Sequence, residues 1–254
     1  MISTFEHLPE GKKIYFASDF HLGVPDPESS LAREKKIVSW LTQIQKDAFG
    51  IFLVGDIFDF WFEYKHTIPK GFSRLLGKLA ELTDSGISVV IFTGNHDMWM
   101  FDYFENEFGI TVHRSTQVYN IGGKQALIGH GDGLGPGDRA YKVYKKIFSN
   151  PVCQVLFEWL HPNIGMSIAR FWSGKSRMKN NYEVIEEEAE WLIQYCRGIE
   201  EKAHHDYYIF GHRHVATELN LNDNSSYFNL GEWVEQCTYA VFSDGRMSLK
   251  KYPS

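Results

Sequence analysis

The chain has 254 residues, a net charge of −6, 43% hydrophobic and 23% charged residues. These values fit one large soluble globular domain and exclude a disordered polymer. The negative balance argues against a dedicated nucleic-acid binder, and no apolar run reaches the roughly 18–20 residues of a bilayer span.

The opening Met1–Lys13 is mixed polar and lacks the basic-then-apolar build of a secretory leader. Ile14–Ser18, Ile51–Gly55, Val89–Thr93, Ala126–Gly129 and Tyr207–Gly211 are short apolar runs, each ending in Gly, Ser or Thr beside a polar cluster, and predict buried strands. Ile37, Leu41, Ile44 and Ala48, then Phe72, Leu75, Leu76 and Leu79, carry helical periodicity between the early strands. Strand–helix alternation predicts an α/β sheet. Tyr227–Leu230, Thr238–Phe242 and Met247–Lys250 predict three late strands, the last two joined by Ser243-Asp244-Gly245. The expected fold is mixed α+β and α/β: two packed sheets with helices outside. Cys153, Cys196 and Cys237 have no C-x-x-C spacing and read as reduced thiols of a cytosolic protein.

Between Gly135 and Asp206 no strand is predicted. Ile185, Ala189, Leu192, Cys196 and Ile199 mark an amphipathic helix there. The expected organisation is a single domain over 1–254 with a helical insertion at about 136–205. From Pro136 to Asn180 the chain has eight basic residues against two acidic ones, a net +6, interleaved with Phe148, Phe157, Trp159, Phe171 and Trp172. Such a run is ordinarily a solvated face. Its sharper reading is a surface for an anionic, partly greasy ligand.

The chemistry lies just past the end of each strand. Asp19-Phe20-His21 comes after the first, Gly55-Asp56-Ile57-Phe58-Asp59 after the second, and Gly94-Asn95-His96-Asp97 after the third. His130-Gly131-Asp132 comes after the fourth, and Gly211-His212-Arg213-His214 after the fifth. Any one of these reads as a turn. Together, at the carboxyl ends where α/β sheets gather ligands, they read as one site. Carboxylates, imidazoles and a side-chain carbonyl, with no thiolate, suit divalent ions such as Mn²⁺, Fe²⁺ or Zn²⁺. Alternate residues on an extended segment point the same way, so Asp19 and His21 can share one ion, as can His212 and His214 as a neighbouring pair. The ligands exceed what one tetrahedral ion takes. Two ions bridged by a carboxylate, the arrangement that supports phosphoryl transfer, account for them.

In this order, D-x-H, G-D-x-x-D, G-N-H-D, H-G-D and G-H-x-H resemble the calcineurin-like metallophosphoesterases over nearly the whole chain. The resemblance implies a β-sandwich flanked by helices. It also implies that Asp19, His21, Asp56 and His214 hold one ion and Asp56, Asn95, His130 and His212 the other. Asp59 and Asp97 would support the ligands, and Asp56, Asn95 and His96 would flank the reacting phosphoryl group. Mn²⁺ is the preferred ion, with Fe²⁺, Zn²⁺ or Mg²⁺ as alternatives. Asp19-Phe20-His21-Leu22-Gly23, Gly55–Trp61 and His130–Leu134, together with Asp138 and Tyr141, are similar to the UDP-2,3-diacylglucosamine hydrolases. Those enzymes release UMP and 2,3-diacylglucosamine 1-phosphate in lipid A synthesis, and their insertion caps the site.

That narrower resemblance implies a lipid-linked sugar nucleotide as substrate and no nucleic acid as partner. It implies a cytoplasmic protein held peripherally at the inner face of the inner membrane. Candidate substrate contacts are Asp138, Tyr141, Arg170, Lys175 and Asn180, with Ser173, Ser176 and Asn181 nearby. The chain departs from the best-known members at His96, where they have Arg. Two other readings stand beside it: a phosphodiesterase or phosphatase of a nucleotide or phosphorylated metabolite, with His96 as acid, and a binding scaffold that has lost catalysis. Eight filled ligand positions argue against the last.

Overall fold

The computed structural model describes residues 3–136, 139–168 and 190–253. Among the described residues, twelve strands form two six-stranded sheets. The first contains β1 (Ser3–Phe5), β6 (Gln117–Ile121), β7 (Lys124–Ile128), β8 (Tyr207–Phe210), β10 (Ser226–Asn229) and β9 (Thr217–Asn220), in that spatial order. The second runs β12 (Arg246–Lys251), β11 (Thr238–Ser243), β2 (Lys13–Ala17), β3 (Ala48–Val54), β4 (Ser88–Phe92) and β5 (Thr111–His113).

Alternation along the strands builds the layers. On β2, β3 and β4, Phe16, Phe52, Val54, Val90 and Phe92 meet Ile121, Ile128 and Ile209 of the other sheet, forming the sandwich core. Tyr15, Ala17, Ile51, Leu53, Val89 and Ile91 face the opposite way, onto helices α1 (Pro27–Ile44), α2 (Ser73–Asp84) and α3 (Tyr103–Phe108). Beyond the first sheet, Leu127, Tyr208, Phe210 and Tyr227 pack on Leu192, Ile193 and Cys196 of a return helix, Trp191–Glu200. This period-two exchange of faces is what a strand buried on both sides requires.

Buried carboxylates fix two of the helix starts. Glu34 accepts hydrogen bonds from the backbone N–H groups of Arg74 and Leu75 at the start of α2. Glu63 accepts from Phe101, Asp102 and Tyr103 at 2.6–3.1 Å, capping α3 from another loop. Both satisfy N–H groups that a helix leaves unpaired.

The expected strands and early helices are present. Ala48 begins β3 instead of ending α1. β1, β5, β6 and β9 were not expected: β5 has three residues and β9 four largely polar ones, too short for a periodic signal. The last hairpin turns on two residues, because Ser243 pairs with Arg246, and Asp244 and Gly245 both have positive φ. That is the turn whose twist matches paired strands.

From 139 to 168 the chain is helical, with α4 (Arg139–Phe148), α5 (Pro151–Glu158) and a further run over 162–168. Phe157 turns toward the core loops, its ring 4.8 Å from that of Phe62 and 5.1 Å from that of Trp99. Val143, Ile147, Val152, Val155 and Leu156 face outward, and Trp159 is 85% exposed. The predicted amphipathic helix is helical over its described part, with Leu192 and Cys196 buried; Ile185 and Ala189 lie outside the described residues.

Candidate metal centre

The parallel strands β2, β3 and β4 of one sheet and β7 and β8 of the other end at a common rim. Asp19 and His21 follow β2, Asp56 follows β3, and Asn95 follows β4. His130 follows β7, and His212 and His214 follow β8. The loops interlock through their backbones. His212 N–H donates to Asp19 Oδ2 at 3.0 Å, His96 N–H to Asp56 Oδ1 at 2.9 Å, and Trp233 N–H to the Asp19 carbonyl at 3.1 Å. Gly94 lies so close to Asp56 that a Cβ there would fall 2.2 Å from Oδ1.

Two groups of potential ligand atoms share Asp56. Asp19, His21, Asp56 and His214 form one, with all ligand atoms within 4.8 Å of one another, and Asp56, His130 and His212 form the second. In the first, Nε2 of His21 and Nε2 of His214 are 3.0 Å apart, and His214 Nε2 is 3.0 Å from Asp19 Oδ1. In the second, His130 Nε2 is 3.2 Å from Asp56 Oδ2. His130 Nδ1 lies 2.9 Å from the Val54 carbonyl. A carbonyl only accepts, so Nδ1 carries the proton and Nε2 is left for a ligand.

Asp19 and His21 converge, though not through an extended segment, and His212 and His214 do not pair but fall in different groups. Asp19, His21, Asp56, His212 and His214 all have left-handed backbones, with φ between 43° and 68°. Aspartate and histidine tolerate this region better than most residues.

The electrostatics suit bound cations. Burial opposes charge on His21, yet Asp19 and Asp59 beside it raise its pKa to about 10. Burial likewise opposes charge on His130, which Asp56 raises well above the usual imidazole value. Protons on these rings balance the buried carboxylates, and a divalent ion would replace them with proton release. His212, desolvated and next to His130, is lowered to about 4 and stands ready as a neutral ligand. Asn95 Oδ1 is buried with no hydrogen-bond partner, and an ion is what such an orphaned acceptor lacks.

The family model for calcineurin-like phosphoesterases matches residues 12–216, spanning every one of these loops. The chain belongs to the calcineurin-like phosphoesterase family. Among curated members, it is 36% identical to a UDP-2,3-diacylglucosamine hydrolase of Porphyromonas gingivalis, covering 94% of this chain and 97% of that one. It is 28% identical to the enzyme of the same name from Histophilus somni, over 87% and 92% of the two chains. The one from Photorhabdus laumondii is 27% identical over 94% and 98%.

Around this phosphoesterase centre, Asp59 Oδ1 faces Nδ1 of His21 at 3.6 Å, and the Asp59 carbonyl lies 3.0 Å from His96 Nδ1. Asp97 ties two loops together, accepting from Gly94 N–H at 2.7 Å and Ile57 N–H at 2.8 Å. Tyr141 is engaged within the protein: its hydroxyl donates to Asp132 Oδ2 at 2.6 Å, and its ring centroid is 6.5 Å from that of His212. Asp138, Arg170, Lys175 and Asn180 lie outside the described residues, as do Ser173, Ser176 and Asn181. Between α4–α5 and the G-N-H-D loop lies a cavity of about 400 Å³ lined by residues including Thr93, Gly94, Arg114, Lys145 and Gln154.

Glu190, Trp191 and Arg213 were not anticipated at the centre. Glu190 Oε2 accepts from Arg213 Nε and Nη2, both at 2.9 Å, and Trp191 lies 5.9 Å from His212 by ring centroids. The available signal was the position of Arg213 between two predicted ligands. Trp191 reads from sequence as a core residue; it is half-buried at the edge of the site.

Proposed function

We propose that the chain hydrolyses the pyrophosphate of UDP-2,3-diacylglucosamine, giving UMP and 2,3-diacylglucosamine 1-phosphate, at a dinuclear centre that prefers Mn²⁺. The observation that carries the hydrolytic reading is the pair of ligand groups joined by Asp56; the names of the relatives carry the substrate. Two bound divalent ions would supply Lewis acidity and an acidified water for in-line attack on phosphorus. Asp19, His21, Asp56 and His214 would hold the first, and Asp56, Asn95, His130 and His212 the second. Asp59 and Asp97 orient these ligands from behind.

His96 stands beside the shared carboxylate, held through its own backbone N–H. Burial lowers its pKa, against the pull of Asp56. With Nδ1 on the Asp59 carbonyl, a neutral imidazole presents Nε2 as an acceptor and has no proton to give a leaving group. A leaving phosphate needs little proton help, whereas a leaving alkoxide needs an acid. This favours the pyrophosphate over the alkyl ester of the phosphodiesterase reading.

In this proposal the helical segment over about 136–205 caps the site. The outward Val143, Ile147, Val152, Val155, Leu156 and Trp159, with Lys146 exposed among them, support peripheral contact with the cytoplasmic face of the inner membrane. No helix among the described residues is long and apolar enough to cross a membrane. Phe157 belongs to the core side of this segment, and Lys145 is committed to Asp132 at 2.6 Å, so neither would serve that contact. Phe171, Trp172, Arg177 and Lys179 lie outside the described residues.

Turnover with and without Mn²⁺, on UDP-2,3-diacylglucosamine and on an aryl phosphodiester, tests the function. Metal-dependent cleavage of the lipid nucleotide is expected. Efficient turnover of esters with none of the nucleotide would replace this reading by the phosphodiesterase one. Co-sedimentation with anionic vesicles, weakened by salt and lost in Trp159→Glu, tests the membrane contact, and sedimentation unchanged by that substitution would remove it.

A further inference from the structure

Both roots of the helical segment grip the second ligand set. At the entry root, Asp132 stands two residues after His130. It accepts from Tyr141 at 2.6 Å and from Lys145 Nζ at 2.6 Å, both on α4. At the exit root, Glu190 is buried; its Oε1 lies 3.3 Å from Leu192 N, capping the return helix, and its Oε2 holds Arg213. Arg213 lies between His212 and His214 and also sits 5.9 Å over the Trp191 ring.

The two roots meet at one imidazole. The His212 ring is flanked by Tyr141 from the entry and Trp191 from the exit, with centroids at 6.5 Å and 5.9 Å. They also touch one another: a Cβ on Gly135, whose φ is +75°, would lie 2.4 Å from the Trp191 carbonyl. Among the described residues the first group is held from elsewhere: Arg33 of α1 donates to the His21 carbonyl at 2.7 Å, and the loops at Gly55, Asp56, Gly211 and Trp233 fix Asp19 and His21.

We infer that α4, the return helix and the second ion site form one coupled unit, in which Asp132, Glu190 and Arg213 are positioning residues for His130 and His212. The inference rests on the two-ion reading but on no particular substrate. Side chains that orient a ligand from behind are typically worth about 10–100-fold in metal affinity. Linkage is reciprocal, so an ion that needs the clamped arrangement must also tighten the hold of α4 and the return helix.

The test uses the full chain, stripped of metal and titrated with Mn²⁺ by calorimetry, with no substrate present. The parent should bind two ions. Arg213→Ala and Glu190→Gln should weaken one site by about 10–100-fold and leave the other near its parent value, with Arg213→Lys recovering part of the loss. Trypsin cleavage in α4, at Lys146, should slow on Mn²⁺ addition in the parent and much less in Arg213→Ala. If Arg213→Ala fails to fold, Tyr141→Phe carries the test, since it keeps the ring beside His212 and removes the hydroxyl that donates to Asp132. A parent that binds a single ion removes the second site and overturns the two-ion reading with the clamp. Two ions in the parent, with both affinities and the cleavage response unchanged in the variants, overturn the clamp alone.

Discussion

The strand-end loops and the α4–α5 helices use their aromatic residues in opposite ways. Below the loops, Trp40 and Trp233 are buried, 4.9 Å apart by ring centroids and packed with Phe20 and Tyr239. On the helices, Trp159 is 85% exposed and Leu156 65%. The first region must hold several buried charged groups within a few ångströms, which only a close-packed support can do. The second keeps apolar surface in water, which a folded protein rarely does without a partner for it. Residue type alone does not separate these roles; what lies across from each residue does.

The harshest way to break the loop region is at its centre. Asp56→Ala should lower turnover by more than about 10³-fold, the order seen when a transition-state charge loses its support. Elemental analysis should show both ions reduced. A variant keeping two ions and most of its turnover would sink the assignment of Asp56 as bridge.

The contrast itself is sharpened by one substitution made twice. Trp40→Ala should cost about 3–5 kcal/mol of stability by denaturant unfolding. Trp159→Ala should stay within about 0.5 kcal/mol, as an exposed side chain does, while weakening vesicle binding. Equal losses would mean that α5 is as much a part of the core as α1.

His96→Ala probes the reaction at the junction of the two regions. On the pyrophosphate the loss should stay below the 10²–10⁴-fold range of general acid catalysis, at roughly tenfold. A penalty that rises with leaving-group pKa across a series of substrates would instead make His96 the acid.

The smallest effect concerns the far end of the return helix. Burial would raise the Glu200 pKa, but hydrogen bonds from His204, Tyr208, His205 N–H and Ser225 hold it well below the usual carboxylate range. A depressed carboxylate stabilises the fold above its unfolded value and loses that contribution as pH falls toward the folded one. Glu200→Gln should therefore melt lower than the parent at neutral pH. The gap should narrow below about pH 4.5, the ordinary value of the group. A gap that persists unchanged into acid would show that shape, not charge, ties the helix to β8 and β10.

Much of this was legible in the chain. Apolar runs closed by Gly, Ser or Thr and a polar cluster mark β2, β3, β4, β7 and β8, since a strand buried on both faces is apolar throughout. Asp, His and Asn after each announce a shared site. What escaped was set by tertiary contact. β5 takes its pairing from β4 and β9 from β10, without the length to signal either. The route by which Asp19 and His21 converge was also misread, because an extended reading of D-x-H gives the same partners as the left-handed backbone observed. Glu190 and Arg213 are 23 residues apart, and no periodicity relates them.

The left-handed ligand residues carry a consequence for descent. Asp19, His21, Asp56, His212 and His214 sit where most side chains cost about 1–2 kcal/mol, so these positions are selected twice, once by the ion and once by the backbone. A descendant freed from catalysis would lose the first constraint and keep the second. Its loops would drift toward Asn and Gly, not toward Ala or Val. Such a chain would still fold with the same rim, and its former centre would remain recognisable as a row of small, turn-forming residues at the ends of three strands.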